Sequence, residues 1–468
     1  MARLDTIIIN GTLVTAADTT ACDIGIKDGV VAVLGKNLGP ADEVIDIAGM
    51  LALPGGIDSH VHFAQSSGPD IVMADGFASG TLSAAFGGNT TVLPFCLQEK
   101  GQSLREALKH YHAKADGQCH IDVSFHLIIT DPTEQVLGQE LPALVEDGYT
   151  SLKIFMTYEG MALNDREILE TLSAARRTGA LVMVHAENYD AIRFLTDQLE
   201  RAGKTAPLFH AVSRPIPVER EATHRAIALA EIIDVPIVIV HVSNGEAMEE
   251  IRRAQIKGLK VHGETCPQYL VLTANDLDGL NMEGAMYVCS PPPRDEASQH
   301  ACWEGIRTGV FSLFSSDHCP FRYDDVQGKL VPRGRTSFRW VPNGIPGVET
   351  RLPILFSEGV GTGRIDLNRF VALTATNHAK MYGLYPRKGT IAVGSDADIV
   401  VWDPWRKVTI SQALMHHGSD YTPYEGIEVT GWPIRTIVRG RTVVSDGVVL
   451  GKPGYGTYLP RTKSLVPA

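Results

Sequence analysis

Cysteine is sparse in this chain: seven residues, an odd number, are scattered over 468 positions with no Cys-x-x-Cys pair. A disulfide scaffold needs a denser, even set, so reduced thiols in a cytoplasm are expected instead. Long apolar runs are missing too. The longest, such as 236–240, are strand length and far short of a membrane span. The first ten residues carry one apolar triplet and an acid at Asp5, which is not the pattern of a secretory signal. Basic clusters are absent, and 42 Lys and Arg against 54 Asp and Glu leave a net charge of −12. Such a chain repels phosphate backbones, so nucleic acid and anionic membranes are excluded as expected partners. No internal repeat or low-complexity linker stands out, and no Gly-x-Gly-x-x-Gly follows the first strand of the central region, so a dinucleotide site has no support.

The length fits one large domain with a smaller one beside it. Hydrophobic residues at 44% and charged residues at 21% are ordinary globular usage. Both ends read as short strands broken by Gly, Asn and Asp: 6–9, 23–27, 30–34 and 43–46, then 389–391, 397–402, 434–439 and 442–445. Neither set closes a core alone, so the two are expected to pair into one small β-sandwich domain. Between them, Val- and Ile-rich runs alternate with helical patterns, the mark of βα units around a parallel sheet. Eight strands are expected, at 57–61, 90–95, 122–127, 151–155, 181–185, 237–241, 260–264 and 311–316, with clear helices at 104–115, 166–177, 220–232 and 247–254. The expectation is therefore an α/β chain with a (β/α)₈ TIM-like barrel over 55–385, an open doubly wound sheet being the runner-up. The sandwich takes 1–54 plus 386–460, and 461–468 forms a C-terminal tail.

His60 and His62 end the first of these strands, Lys153 lies in the fourth, His185 ends the fifth, His241 ends the sixth and Asp317 follows the eighth. In such barrels function sits at the C-terminal rim of the strands, so these six groups converge. Residues i and i+2 of a strand share a face, which lets His60 and His62 bind one ion. His110 and His112 have the same spacing inside a helical pattern, about 200° apart at 3.6 residues per turn, and read as a solvated helix face. His416 and His417 lie in a loop-like stretch and read as non-ligands. Lys153 is costly in a barrel mouth unless paired. Either it meets Asp317 or Glu187 in a salt bridge, or its amine carries CO₂ as a carbamate that bridges two ions. Cys319 has no dedicated base and reads as packing beside the site.

These residues sit in a series of motifs: Pro-Gly-Gly-Ile-Asp-Ser-His-Val-His (54–62), Ser-Leu-Lys-Ile-Phe-Met-Thr-Tyr (151–158), Val-His-Ala-Glu-Asn (184–188), Val-His-Val-Ser (240–243), Gly-Glu-Thr-Cys-Pro (263–267), Ser-Pro-Pro (290–292), Ser-Asp-His-Cys-Pro-Phe (316–321) and Pro-Asn-Gly-Ile-Pro-Gly-Val-Glu (342–349). In this order, over nearly the whole chain, they resemble the amidohydrolase superfamily and, within it, the dihydropyrimidinase/hydantoinase group. The resemblance implies two divalent metal ions, zinc first, with manganese, cobalt or iron also compatible. One is held by His60, His62, Asp317 and carboxylated Lys153, the other by Lys153, His185 and His241. It implies that Tyr158 supports the oxyanion while backbone groups at Ser290 and Asn343 align a small cyclic amide. A metal-bridging hydroxide would open a dihydropyrimidine, hydantoin or related imide, with Asp317 as general acid and base. Assembly as a homotetramer or homodimer is likewise implied. The loop 64–75 and the pair Glu159-Gly160 depart from the group's pattern where a ring substituent would project, so ring chemistry transfers better than substrate identity. An allantoinase-like activity shares the same ligands. Dihydroorotase-like relatives carry an Arg two residues after the His-x-His, where this chain has Ala64. A non-catalytic scaffold would have lost ligands that are all present here.

Overall fold

The computed structural model describes residues 3–68 and 70–465. Some of the predicted regions reach beyond them: residues 1–2 of the small domain, residue 69 of the barrel and its 64–75 loop, and 466–468 of the tail lie outside the described residues.

The central strands are Gly56–Val61, Asn89–Leu97, Asp122–Val123 with His126–Ile128, Ser151–Phe155, Leu181–His185, Ile237–Ile239, Val261–Thr265 and Phe311–Phe314. All pair in parallel, each with its neighbour in space. A parallel bridge between Val61 and His318, backed by the His62 amide donating to the His318 carbonyl at 2.7 Å, joins the eighth strand to the first and closes a (β/α)₈ barrel. The third stave was expected to be continuous over 122–127. It is broken where the C-terminal segment comes alongside: Val123 bridges Tyr458, and the Phe125 carbonyl accepts from the Arg461 guanidinium instead of a strand amide.

Period-two alternation sorts the side chains of each stave. Leu152 and Ile154 pack outward under the helices, whereas Phe155 joins Ile57, Leu93, Phe95, Met183, Val238 and Leu313 inside the barrel. Lys153 shares the inward phase of Phe155. The outer helices begin on caps that follow the strands directly. Asn188 accepts from the Ala191 amide and opens the helix Tyr189–Arg201, three residues after His185. Asn244 accepts from the amides of Glu246 and Ala247 and opens Gly245–Ile256, three residues after His241. The helix Asp165–Thr178 has a full capping box from Asn164 and Glu167.

The two ends of the chain do pair. A seven-stranded sheet runs from Val448–Val449 through Arg441–Ser445, Glu428–Val438 and Ile399–Thr409 to Leu51–Pro54, Thr12–Val14 and Thr19–Ala21. A four-stranded sheet of Val30–Gly35, Asp23–Lys27, Leu4–Ile9 and Ala41–Asp46 faces it. Ile8, Ile24, Ile26 and Ile45 of the smaller sheet meet Ala52, Ile399, Val401 and Ile437 of the larger in one core. The strand expected at 389–391 does not form. Gly389 takes φ 78° against Ala379, and Ile391 reaches the sandwich core from a loop. Below the barrel Arg461 is buried and gives its guanidinium to Ser124 Oγ and Ser151 Oγ, each at 2.8 Å, and to the Phe125 carbonyl. Arg461, the first residue of the segment read as a tail, thus plugs the barrel floor.

Candidate metal centre

Simple alternation does not bring every predicted ligand inward. Ile57 is an interior residue, so His60 would fall out of phase with it; a register shift between Asp58 and Val61 resets the strand. His241 follows Ile237 and Ile239, which face the helices, and would point outward with them. Its backbone leaves the β region at φ 42°, which turns the imidazole into the mouth. Asp317 at φ 51° and Tyr158 at φ 74° are also left-handed. Such conformations cost about 1–3 kcal/mol each in non-glycine residues and gather at functional sites.

The six predicted groups meet. Asp317 Oδ1 lies 3.1 Å from His60 Nε2 and 3.4 Å from His62 Nε2. Lys153 Nζ is 3.5 Å from His60 Nε2, and His241 Nε2 is 2.9 Å from His185 Nδ1. Donor atoms of His60, His241 and Asp317 all fall within 4.8 Å of one another. All six residues are buried. His241 Nδ1 is buried without a hydrogen-bond partner, and its other nitrogen faces an imidazole rather than an oxygen. That is a poor arrangement for two neutral rings alone. It fits nitrogen and oxygen donors gathered around divalent cations.

Three further side chains set the direction of the lone pairs. His60 Nδ1 meets Glu264 Oε1 at 2.6 Å, His62 Nδ1 meets Gln65 Oε1 at 2.7 Å and His185 Nε2 meets Glu187 Oε2 at 2.7 Å. Each acceptor holds a proton on the ring nitrogen facing away from the cluster; the inner nitrogens of His60 and His62 face Asp317, and with a cation bound in place of their protons they would present their lone pairs to it. None of the three was predicted in this role. Glu187 was named only as a partner for Lys153, and it instead accepts from His185 and from Ser290 Oγ at 2.9 Å. Glu264 lies in a quoted motif, but nothing in one chain's pattern separates an inward acceptor from a core acid.

Lys153 makes no salt bridge. Among the described residues no carboxylate oxygen lies within 4.0 Å of its Nζ, which sits over the rings of Phe95 and Phe155 at 5.0 and 5.2 Å. Burial pushes its amine down to about 8. Burial works to raise Asp317, yet the charge of His60 and hydrogen bonds from His60 and His62 outweigh it and hold the carboxyl well below its ordinary value. Burial first, and then Glu187, raise the Tyr158 phenol, so it stays a donor. It faces the side chains of Ser290 and Asn343. Burial also raises the Cys319 thiol, which speaks against a nucleophile.

The cluster lies at the base of a cavity of about 580 Å³. Tyr158, Ser290 and Asn343 line it, as do Gln65, Ser66 and Ser67 of the 64–75 loop and the Glu159-Gly160 pair. The histidines set aside as ligands stay apart from it. His416 pairs with Glu349 at 2.8 Å and stacks on Phe86, while His417 is buried beside His318. His112, expected to be solvated, is half-buried and bonds the Tyr149 hydroxyl at 2.7 Å, because its helix face packs on Phe125 and Tyr458.

The amidohydrolase family profile matches residues 51–443, the whole barrel and the sandwich strands that flank it. The chain belongs to the amidohydrolase family. This amidohydrolase is 47% identical to a D-hydantoinase of Rhizobium radiobacter over 461 residues, covering 98% of this chain and 99% of that protein. It is 48% identical to a D-hydantoinase of Ralstonia pickettii over the same length and coverage. Among solved structures it superposes on a dihydropyrimidinase from Brevibacillus agri with TM-score 0.96 at 45% identity, covering 99% of this chain and all of that one.

Proposed function

We propose that this amidohydrolase opens the ring of a cyclic amide, adding water across the C–N bond of a hydantoin, dihydropyrimidine or related imide. Support comes above all from imidazoles of the first, fifth and sixth strands and a carboxylate after the eighth meeting at the base of one cavity. In this reading His60, His62, Asp317 and carboxylated Lys153 hold one divalent cation, and Lys153, His185 and His241 hold the other. Zinc comes first; manganese, cobalt and iron suit the same donors. Bound there, the ions would polarise the ring carbonyl and make water acidic near neutral pH.

The chain's own groups do the rest. Backbone groups at Ser290 and Asn343 align the ring amide. Asp317, ionised at working pH, accepts the proton of the attacking water and returns it to the leaving nitrogen as the C–N bond breaks. Tyr158 donates to the oxygen that gains charge. Lys153, lowered toward neutrality, has enough free amine to add CO₂: its nitrogen bonds the carbon and releases a proton, and an anion replaces a buried cation that has no carboxylate beside it.

The same reading places the domain boundaries at 1–54 plus 386–460 for the sandwich, 55–385 for the barrel and 461–468 for the tail. Assembly as a homotetramer or homodimer in the cytoplasm belongs to it as well. The seven free thiols and the lack, among the described residues, of any helix able to cross a membrane agree with that location. A ureide substrate of the allantoin type is the second reading, favoured by Gln65, Ser66 and Ser67 in the cavity wall. The catalytically silent alternative is disfavoured by relatives that are named as hydantoinases. Metal-supplied enzyme assayed on dihydrouracil, 5-substituted hydantoins, allantoin and succinimide tests the proposal. Ring opening of at least one is expected, with Asp317→Asn inactive. No turnover of any, or an Asp317→Asn enzyme with full activity and full metal, would overturn it.

A further inference from the structure

Lys329 is fully buried, and among the described residues no carboxylate lies within 4.0 Å of it. A buried cation without a counter-charge is expensive, and a Leu or Met in its place would pack at lower cost. What it has instead is two backbone carbonyls: Nζ donates to Val288 at 2.7 Å and to Pro342 at 2.6 Å. Val288 lies two residues before Ser290, and Pro342 immediately precedes Asn343. The two segments also touch directly, the Gly344 amide donating to the Val288 carbonyl at 3.0 Å. The Phe321 ring, itself in the cavity wall, lies 5.8 Å from the amine.

We propose that Lys329 is a positioning residue for the substrate, a clamp that sets the spacing of the two segments bearing Ser290 and Asn343. Burial pushes its amine down to about 7, but a neutral amine keeps two N–H groups and serves both carbonyls as an ammonium does. The clamp therefore holds in either protonation state. It acts through backbone, touching neither substrate nor the predicted metal ligands.

The proposal rests on the ring-opening reading, so wild-type enzyme is assayed in parallel: a wild type that opens no ring sinks that reading, not the clamp. Metal-replete Lys329→Met is compared with it on the smallest ring the wild type opens, because such a ring has no substituent to anchor it. KM is expected to rise about ten-fold or more, with kcat falling less than about three-fold and metal per chain unchanged. Lys329→Gln keeps two N–H donors but on a shorter, planar arm that does not reach both carbonyls alike, and is expected to fall between the two. A KM within about two-fold of wild type overturns the proposal, as does a KM rise that tracks metal loss. Failure of both variants to fold also counts against it, since the lysine would then serve stability rather than alignment.

Discussion

Glu264 offers the sharpest test of how the site is built. It is fully buried and accepts three hydrogen bonds: from His60 Nδ1 at 2.6 Å, from Ser315 Oγ at 2.8 Å and from the His241 amide at 3.2 Å. Burial works to raise its carboxyl, but the His60 charge and hydrogen bond outweigh that and keep it low, so it is ionised at neutral pH. Glu264→Gln preserves shape and leaves an oxygen for His60, but removes the charge. A hydrogen bond to an ionised acceptor contributes about 1.5–3 kcal/mol and a neutral one about 1. The difference falls on the basicity of the inner nitrogen of His60. Loss of such a partner lowers metal affinity about 10–100-fold, or roughly 1.4–2.7 kcal/mol. Competition for zinc against a chelator of known affinity measures this directly, with circular dichroism confirming that the fold is kept. A variant that holds zinc as tightly as the wild type would refute the claim that Glu264 acts on His60. Glu264→Ala should be far worse, since three buried donors left unpaired at about 1–3 kcal/mol each rival the whole stability of a domain.

Other outcomes follow from the same geometry. Lys153→Ala, and wild type dialysed free of bicarbonate, should both lose bound metal by elemental analysis; a variant keeping both ions would defeat the bridging role. The buried histidines His126, His210 and His378 are lowered by burial first and by nearby arginines second, His378 to about 3. Neutral in the fold, they regain a value near 6.5 when unfolded, so their stabilisation is complete above that pH and is lost as the pH falls toward about 3. Thermal melts of metal-free protein should drop steadily from pH 7 to pH 4, and a flat series would contradict the assignment. Arg461→Ala should lower Tm by several degrees, because the Phe125 carbonyl loses its guanidinium partner at about 1–3 kcal/mol; an unchanged Tm would show that the barrel floor does not need the plug.

Much of this was legible in the chain. The parallel staves announce themselves by short Val- and Ile-rich runs, and the helix Leu104–Ala115 matches its pattern end to end. The six groups at strand ends are brought together because barrel topology puts all strand C-termini on one rim. What stayed hidden depends on backbone departures or on contacts far apart in sequence. The phase shift before His60 and the left-handed turn at His241 have no glycine or proline to signal them. The partnership of Glu264 with His60 spans 204 positions. The strand expected at 389–391 failed because Gly389 serves a turn against Ala379, a tertiary demand that local β-propensity does not register.

The seam of the barrel has a consequence for how the molecule comes apart. His60 and His62 belong to its first stave and Asp317 follows its last, and these edges meet through the Val61–His318 bridge. A cation held by all three, as proposed, would be a clasp across the joint, and opening the cylinder there would first have to release it. Loading should therefore slow opening at this seam, and hydrogen exchange at the His62 amide, which bonds the His318 carbonyl, would report it.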